Sequence, residues 1–132
     1  KQVKGKTNFM DESLKAQGKY KYVESGKGPV IILLHGLFGA LSNYKDLFDA
    51  LADRYRVIIP LLPIYSLSLI NTNVKTLAKF LNDFVKFKKL DKFTLLGNSL
   101  GGHVALKFLT RHPEKVNNLI LTGSSGLYEN TM

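Results

Sequence analysis

Four runs of almost unbroken apolar residues recur along the chain, each ended by a glycine, a proline or a small polar residue. They read PVIILLHG (29–36), RYRVIIP (54–60), DKFTLLGNS (91–99) and VNNLILTGSSG (116–126). Short runs rich in leucine and β-branched residues predict strands that are buried on both faces. An earlier segment, 14–29, alternates weakly and ends in glycine and proline, which predicts one solvent-edged strand there.

Helical periodicity separates these predicted strands. Apolar residues at 44, 47, 48 and 51 predict a first helix with Ser42 as its N-cap. Apolar residues at 74, 77, 78, 81, 84 and 85 predict an amphipathic helix that begins at Val74, after a loop and a cap at Asn71 or Thr72. A third helix follows residue 99 and ends before Pro113.

The strands and helices alternate, and this order predicts one fold class. Strand–helix–strand units favour a mainly parallel sheet with helices on both faces, a three-layer αβα domain. The 132 residues have the length of one domain, and their 45% apolar content is enough for a core. We therefore expect a single α/β domain over residues 1–132.

The formal charge of +9 does not change this interpretation. The lysines of the second predicted helix lie opposite its apolar positions, which is typical of a solvated helix face, and no nucleic-acid-binding motif is present. No apolar run approaches the ~18 residues of a membrane span, and the N-terminal residues lack a signal-peptide pattern. The absence of cysteine excludes a disulfide framework and a cysteine-based metal site. We expect a cytoplasmic protein that uses no metal and no cofactor. We also expect that it binds no membrane and no specific nucleic acid.

The segment GNSLG, residues 97–101, carries the clearest chemical signal. It fits G-x-S-x-G and lies where a predicted core strand turns into a helix, the context of a nucleophile elbow. A tight turn would hold the Ser99 hydroxyl clear of the sheet, and side chains at Gly97 and Gly101 would collide there. The first backbone N–H of the following helix, that of Leu100, can face a developing oxyanion.

A second segment, HGLFG at residues 35–39, follows the first core strand. Together, HGLFGALSNY and GNSLGG resemble the oxyanion loop and the elbow of the α/β-hydrolase superfamily, in particular its small esterases and carbon–carbon bond hydrolases. The resemblance covers residues 15–127 and implies the N-terminal half of that fold. It implies Ser99 as the nucleophile, Leu37 as the second oxyanion donor and Phe38 in the substrate pocket. It also implies structural roles for His35 and Gly36.

One segment departs from the family pattern. Relatives usually carry an aspartate and a glycine-rich turn after the second core strand, whereas this chain reads LLPIYS at residues 61–66. The loop is therefore more apolar than usual, and the substrate cannot be assigned by analogy alone.

The residues that would activate Ser99 are missing from the expected places. In this family the acid and the histidine base follow the elbow along the chain. His103 lies one helical turn past Ser99, where we expect a supporting role, and His112 lies too far along the helix, at its C-terminus. We therefore expect a partial domain that lacks the lid and the C-terminal strands. The missing half would be a second polypeptide or another copy.

Two functions remain open at this point. The first is a cofactor-free serine hydrolase acting on a small carboxylic ester or on a carbon–carbon bond of a diketone-like compound. HGLFG favours the ester and Asn98 favours the diketone, while a haloalkane dehalogenase would need a carboxylate in place of Ser99. The second is a non-catalytic fragment or binding scaffold, and the isolated chain is expected to be inactive.

Overall fold

The structure is a computed structural model that describes residues 14–36, 44–64 and 70–123, with the side chains of all of these except residues 70–73. This part of the chain forms six strands and three helices, which alternate from the third strand onward. They are β1 (Leu14–Gln17), β2 (Tyr20–Ser25), β3 (Val30–Leu34), α1 (Lys45–Leu51), β4 (Arg56–Pro60), α2 (Ile70–Phe87), β5 (Phe93–Asn98), α3 (Leu100–Arg111) and β6 (Val116–Thr122), with a 3₁₀ turn at Pro113–Lys115.

The six described strands form one sheet in the order β1-β2-β4-β3-β5-β6. Strands β3 to β6 are parallel to their neighbours within this group, whereas β1 pairs antiparallel with β2 and β2 pairs antiparallel with β4. The predicted α/β class with a mainly parallel sheet is confirmed. The register pairs Leu34 of β3 with Gly97 of β5, so that the ends of both central strands meet at one edge.

Alternate residues of the central strands face opposite layers. On β3, Ile32 and Leu34 contribute to a core with α2 and α3, whereas Ile31 and Leu33 face α1. This alternation, with apolar residues in both sets, is the reason that the strand sequences read as continuous apolar runs. The helices therefore lie on both faces of the sheet, as the sequence predicts.

The predicted single strand over residues 14–29 is wrong. The structure has two strands here, β1 and β2, joined by the two residues Gly18 and Lys19. Gly18 has φ +60°, a conformation that glycine adopts without steric cost and that a two-residue hairpin turn requires at its first position. The hairpin was not predicted because β1 is exposed along its whole length and therefore has no burial pattern in its sequence.

Two helix starts also differ from the prediction. Helix α1 begins at Lys45 with Tyr44 in the N-cap position, and Ser42 lies outside the described residues. Helix α2 begins at Ile70, four residues before Val74, so that Asn71 and Thr72 belong to the helix instead of capping it. No glycine or proline interrupts residues 70–74, and the apolar periodicity marks only the buried part of this helix.

The lysines of α2 are solvated, whereas Lys88, the residue after the helix, makes contacts with β2. Lys75, Lys79 and Lys86 are exposed, but the Nζ of Lys88 donates to Glu24 Oε1 at 2.8 Å and to the Tyr22 hydroxyl at 3.1 Å. In the described part of the chain, no helix is both long and apolar enough to cross a membrane.

Candidate active site

Ser99 occupies the single residue between the end of β5 and the start of α3. Its backbone has φ 59° and ψ −121°, a conformation that residues with a side chain rarely adopt. Such a conformation costs about 1–3 kcal/mol and persists only where the surroundings enforce it. The Ser99 N–H donates to the Thr122 carbonyl at 3.2 Å, and the Ser99 carbonyl accepts from the Gly102 N–H at 2.9 Å.

Two glycines of the motif allow α3 to start close to the sheet. A Cβ on Gly101 would overlap the Leu34 carbonyl oxygen and would lie 2.9 Å from the carbonyl oxygen of His35. A Cβ on Gly97 would overlap the carbonyl oxygen of Gly101 and lie 2.7 Å from the Cα of Gly102. The end of β3, the end of β5 and the first turn of α3 therefore meet at backbone contact distance, and Ser99 lies at this junction.

Gly36 lies against the other side of the elbow. A Cβ there would be 3.3 Å from the Ser99 Cβ and 3.5 Å from the Leu100 nitrogen. The Leu100 N–H has no hydrogen-bond acceptor among the described residues, as expected for the first amide of a helix. The Leu100 N–H is therefore a candidate donor to a negatively charged oxygen beside Ser99.

His35 connects two segments behind the elbow. Its Nε2 accepts the Leu62 backbone N–H at 2.9 Å, so the proton of the neutral ring resides on Nδ1, which donates to the Gly36 carbonyl at 2.7 Å. Burial lowers the pKa of His35, and the hydrogen bond to the Gly36 carbonyl only partly opposes this effect. The ring is thus a neutral brace that joins the loop after β3 to the loop after β4, and both of its nitrogens are occupied.

Two contributors to this arrangement were not predicted from the sequence. Leu62 supplies the amide to His35 from within the segment that departs from the family pattern. Tyr44 donates its hydroxyl to the Leu34 carbonyl at 2.9 Å, and burial of this hydroxyl raises its pKa. Neither contact has a local sequence signal, since the partners are 27 and 10 residues apart.

The other two histidines lie on α3 or at its end. His103 is half-buried, one helical turn past Ser99. His112 follows the last residue of the helix, so about 18 Å of helix separates it from the elbow. Burial and the neighbouring Lys115 lower the pKa of His112, while Glu114, 4.0 Å from its Nδ1, has a weaker opposite effect.

Part of the predicted site lies outside the described residues. Leu37 and Phe38, the predicted second oxyanion donor and pocket residue, belong to segment 37–43, and their roles stay predictions. Within the described ranges, no group of three or more histidine, aspartate or glutamate side chains could hold a metal ion.

A model of the alpha/beta hydrolase fold family matches residues 29–131. The chain belongs to this family. It is 44% identical, with a TM-score of 0.76, to the crystal structure of MGS-MChE2, an alpha/beta hydrolase enzyme from a lagoon-sediment metagenome of Mar Chica, Morocco. That match covers 89% of this α/β-hydrolase chain and 56% of the other.

Two curated relatives extend the comparison. A 2-hydroxy-6-oxo-6-(2'-aminophenyl)hexa-2,4-dienoic acid hydrolase of Metapseudomonas resinovorans is 34% identical over 94% of this chain. A 1-acylglycerol-3-phosphate O-acyltransferase of Arabidopsis thaliana is 39% identical over 74% of it. The α/β-hydrolase chain spans 46% and 25% of the length of these two relatives, respectively.

Proposed function

We propose that Ser99 is the nucleophile of a serine hydrolase. Its Oγ attacks a substrate carbonyl carbon and forms a bond to it, while the carbonyl electrons move onto the oxygen. The N–H groups of Leu100 and Leu37 then stabilise this oxyanion. The observation that carries the proposal is the strained backbone of Ser99 at a strand–helix junction, next to the Leu100 amide, which has no acceptor among the described residues.

Neither His35 nor His112 is placed to act as the base for Ser99. Both nitrogens of His35 are engaged, and His112 lies at the far end of α3. We propose that a histidine and an acid come from a segment beyond residue 132, either on the same polypeptide or on a second one. The histidine takes the Ser99 proton and passes it to the leaving group, and water then releases the acyl group. This chain together with that segment is called the complete hydrolase below.

A small carboxylic ester is the substrate class that this site favours. The proposed chemistry needs only a carbonyl with a leaving group, and the segment HGLFG at 35–39 resembles the oxyanion loop of esterases. The relative that acts on 1-acylglycerol-3-phosphate, by its name, also handles an acyl group. We further propose that the complete hydrolase is a cytoplasmic enzyme that works without a cofactor.

A diketone-like substrate is the second candidate. The relative from Metapseudomonas resinovorans hydrolyses, by its name, a 2-hydroxy-6-oxo dienoic acid. Asn98 directly precedes the nucleophile and supplies a polar group at the same edge of the sheet. In this version Ser99 attacks the oxo carbon, the adjacent carbon–carbon bond breaks, and the carbon leaving group accepts the proton.

Substrate profiling of the complete hydrolase tests both versions. We expect hydrolysis of p-nitrophenyl acetate and butyrate, with at least a thousandfold loss in Ser99→Ala, and slower cleavage of a 2-hydroxy-6-oxo dienoate. Faster cleavage of the dienoate would select the second substrate class. Activity that survives Ser99→Ala on both substrates would contradict the proposed nucleophile.

A further inference from the structure

The end of β6 contacts the elbow from the side opposite Gly36. Thr122 is the last residue of β6, and Asn98 of β5 is its register partner. The Thr122 hydroxyl donates to the Asn98 Oδ1 at 3.1 Å, and the Thr122 carbonyl accepts the Ser99 N–H at 3.2 Å. One residue therefore holds both the nucleophile and the residue before it.

Gly123 adds a steric contact at the same place. Its φ is +146°, and a Cβ on it would lie 2.9 Å from the Ser99 nitrogen and 3.4 Å from the Asn98 Oδ1. The backbone of Gly123 thus lies so close to the elbow that no side chain fits between them. Because Thr122 and Gly123 are consecutive, they act on the elbow as one unit.

We propose that Thr122 and Gly123 are positioning residues for Ser99. The strained turn of Ser99 needs external support, and β3 supplies it from one side through Gly36. The Thr122–Gly123 unit supplies it from the other side, by two hydrogen bonds and one close backbone approach. The unit does not touch the reacting atoms, and it acts by fixing the direction in which the Ser99 hydroxyl points. This role rests on the proposed function of Ser99.

Matched substitutions can separate positioning from general stability. Thr122→Val removes the hydroxyl at constant shape, and Thr122→Ser retains it. Thr110→Val is the control, because the Thr110 hydroxyl also makes one hydrogen bond, 2.8 Å to the Lys107 carbonyl, near the far end of α3. Gly123→Ala introduces a Cβ at positive φ against Ser99, and Gly18→Ala does so at positive φ with no atom within 4 Å.

Two measurements report on these variants. The first is the rate of Ser99 labelling by a fluorophosphonate, with kcat and KM for p-nitrophenyl acetate, in the complete hydrolase. The second is hydrogen exchange of the Ser99 amide, followed by NMR, which needs no turnover. We expect Thr122→Val to lower labelling and kcat about threefold to tenfold, the range that one net hydrogen bond supports, with KM unchanged within twofold. The Ser99 amide should exchange faster by a similar factor.

The controls decide the outcome. Thr122→Ser, Thr110→Val and Gly18→Ala should retain labelling within twofold, while Gly123→Ala should lose more than tenfold. Equal losses in Thr122→Val and Thr122→Ser, or equal losses in Gly123→Ala and Gly18→Ala, would overturn the proposal. So would an unchanged Ser99 exchange rate in Thr122→Val. If Ser99→Ala were active while Thr122→Val still accelerated exchange, the proposed function would fail and the structural support of the elbow would stand.

Discussion

Gly36 lies beside Ser99 at the candidate site, and a methyl group on Gly36 would come to 3.3 Å from the Cβ of Ser99 and 3.5 Å from the Leu100 nitrogen. Among the described residues, Gly36 is therefore too close to Ser99 and Leu100 for a side chain to fit without a displacement.

Gly36→Ala is expected to impair catalysis more than folding. The added methyl group would lie 3.5 Å from the Leu100 nitrogen, and loss of one oxyanion donor typically costs about 10²–10³ in rate. We expect a drop of about tenfold to a hundredfold in kcat of the complete hydrolase, because the neighbours can shift by a few tenths of an ångström. Steady-state kinetics and a urea unfolding curve of the same variant check this. An unchanged kcat would contradict the assignment of the Leu100 amide.

Gly101→Ala and Gly102→Ala form a matched pair in the first turn of α3. A Cβ on Gly101 would overlap the Leu34 carbonyl, whereas one on Gly102 would meet its nearest neighbours at 3.5 Å, an ordinary contact. We expect Gly101→Ala to lower the free energy of unfolding by about 1–3 kcal/mol or more, as overpacking does. Gly102→Ala should be neutral or stabilising by up to about 1 kcal/mol, because alanine favours helix. Urea denaturation of both variants measures the difference, and a similar loss in both would contradict the close approach at Gly101.

The lowered pKa of His35 predicts that the stability of the fold depends on pH. Its pKa in the folded state is lowered by burial, so its contribution is complete above the unfolded value of about 6.5 and is lost as the pH falls through the folded pKa. Below pH 6.5 this residue should contribute a decline of at most about 1.4 kcal/mol per pH unit. Urea unfolding between pH 7.5 and 5 measures it. His35→Gln should reduce the slope, whereas His112→Gln should change it less, since His112 is more exposed.

Glu24 links β2 to two cations that come from other elements. Arg56 Nε and Lys88 Nζ donate to its carboxylate, the latter at 2.8 Å. Burial raises the pKa of Glu24, but the hydrogen bonds from Lys88 and Arg56 together outweigh it, so the net pKa is lowered. The resulting stability is present above the unfolded pKa of about 4.3 and is lost as the pH falls through the folded value.

Glu24→Gln should therefore destabilise the fold by about 1–2 kcal/mol at pH 7, a value discounted for partial exposure. The matched control is Asp49→Asn, which removes the exposed pair between Lys45 and Asp49 within one helix. This control should cost no more than about 0.5 kcal/mol. Chemical denaturation at low and high salt compares the two, and equal losses would refute a special role for the Glu24 cluster.

The sequence predicts the elements whose buried positions are visible as apolar residues in a regular pattern. Strands β3, β4 and β5 read as apolar runs because residues such as Ile31 and Ile32 face opposite layers that are both covered. The prediction that 116–126 holds a strand buried on both faces is wrong, because β6 is an edge strand of the described sheet and its Ile120 is 45% exposed. The β1–β2 hairpin does not read as an apolar run, because β1 is an exposed edge strand and its residues show no pattern of buried positions. The predicted starts of α1 and α2 are wrong for a related reason, since apolar periodicity marks the buried face of a helix and not its first turn.

The candidate site likewise has a part that the sequence predicts and a part that it does not. Ser99 and the glycines around it are visible in the sequence, because a strand–turn–helix elbow requires particular residue types at fixed spacing. The contacts that support them are not visible. Strand order and register determine these contacts, and both depend on the whole sheet. The contacts are the hydrogen bonds between Leu62 and His35, between Tyr44 and Leu34, and between Thr122 and Asn98.

The most direct test of the central claim is an intact-mass spectrum recorded after exposure to a fluorophosphonate probe. In the complete hydrolase we expect one adduct, located on Ser99 by peptide mapping and absent from Ser99→Ala. The isolated 132-residue chain is expected to remain unlabelled, in line with the proposal that base and acid come from another segment. A complete hydrolase that takes no adduct, or takes it on another residue, would contradict the account.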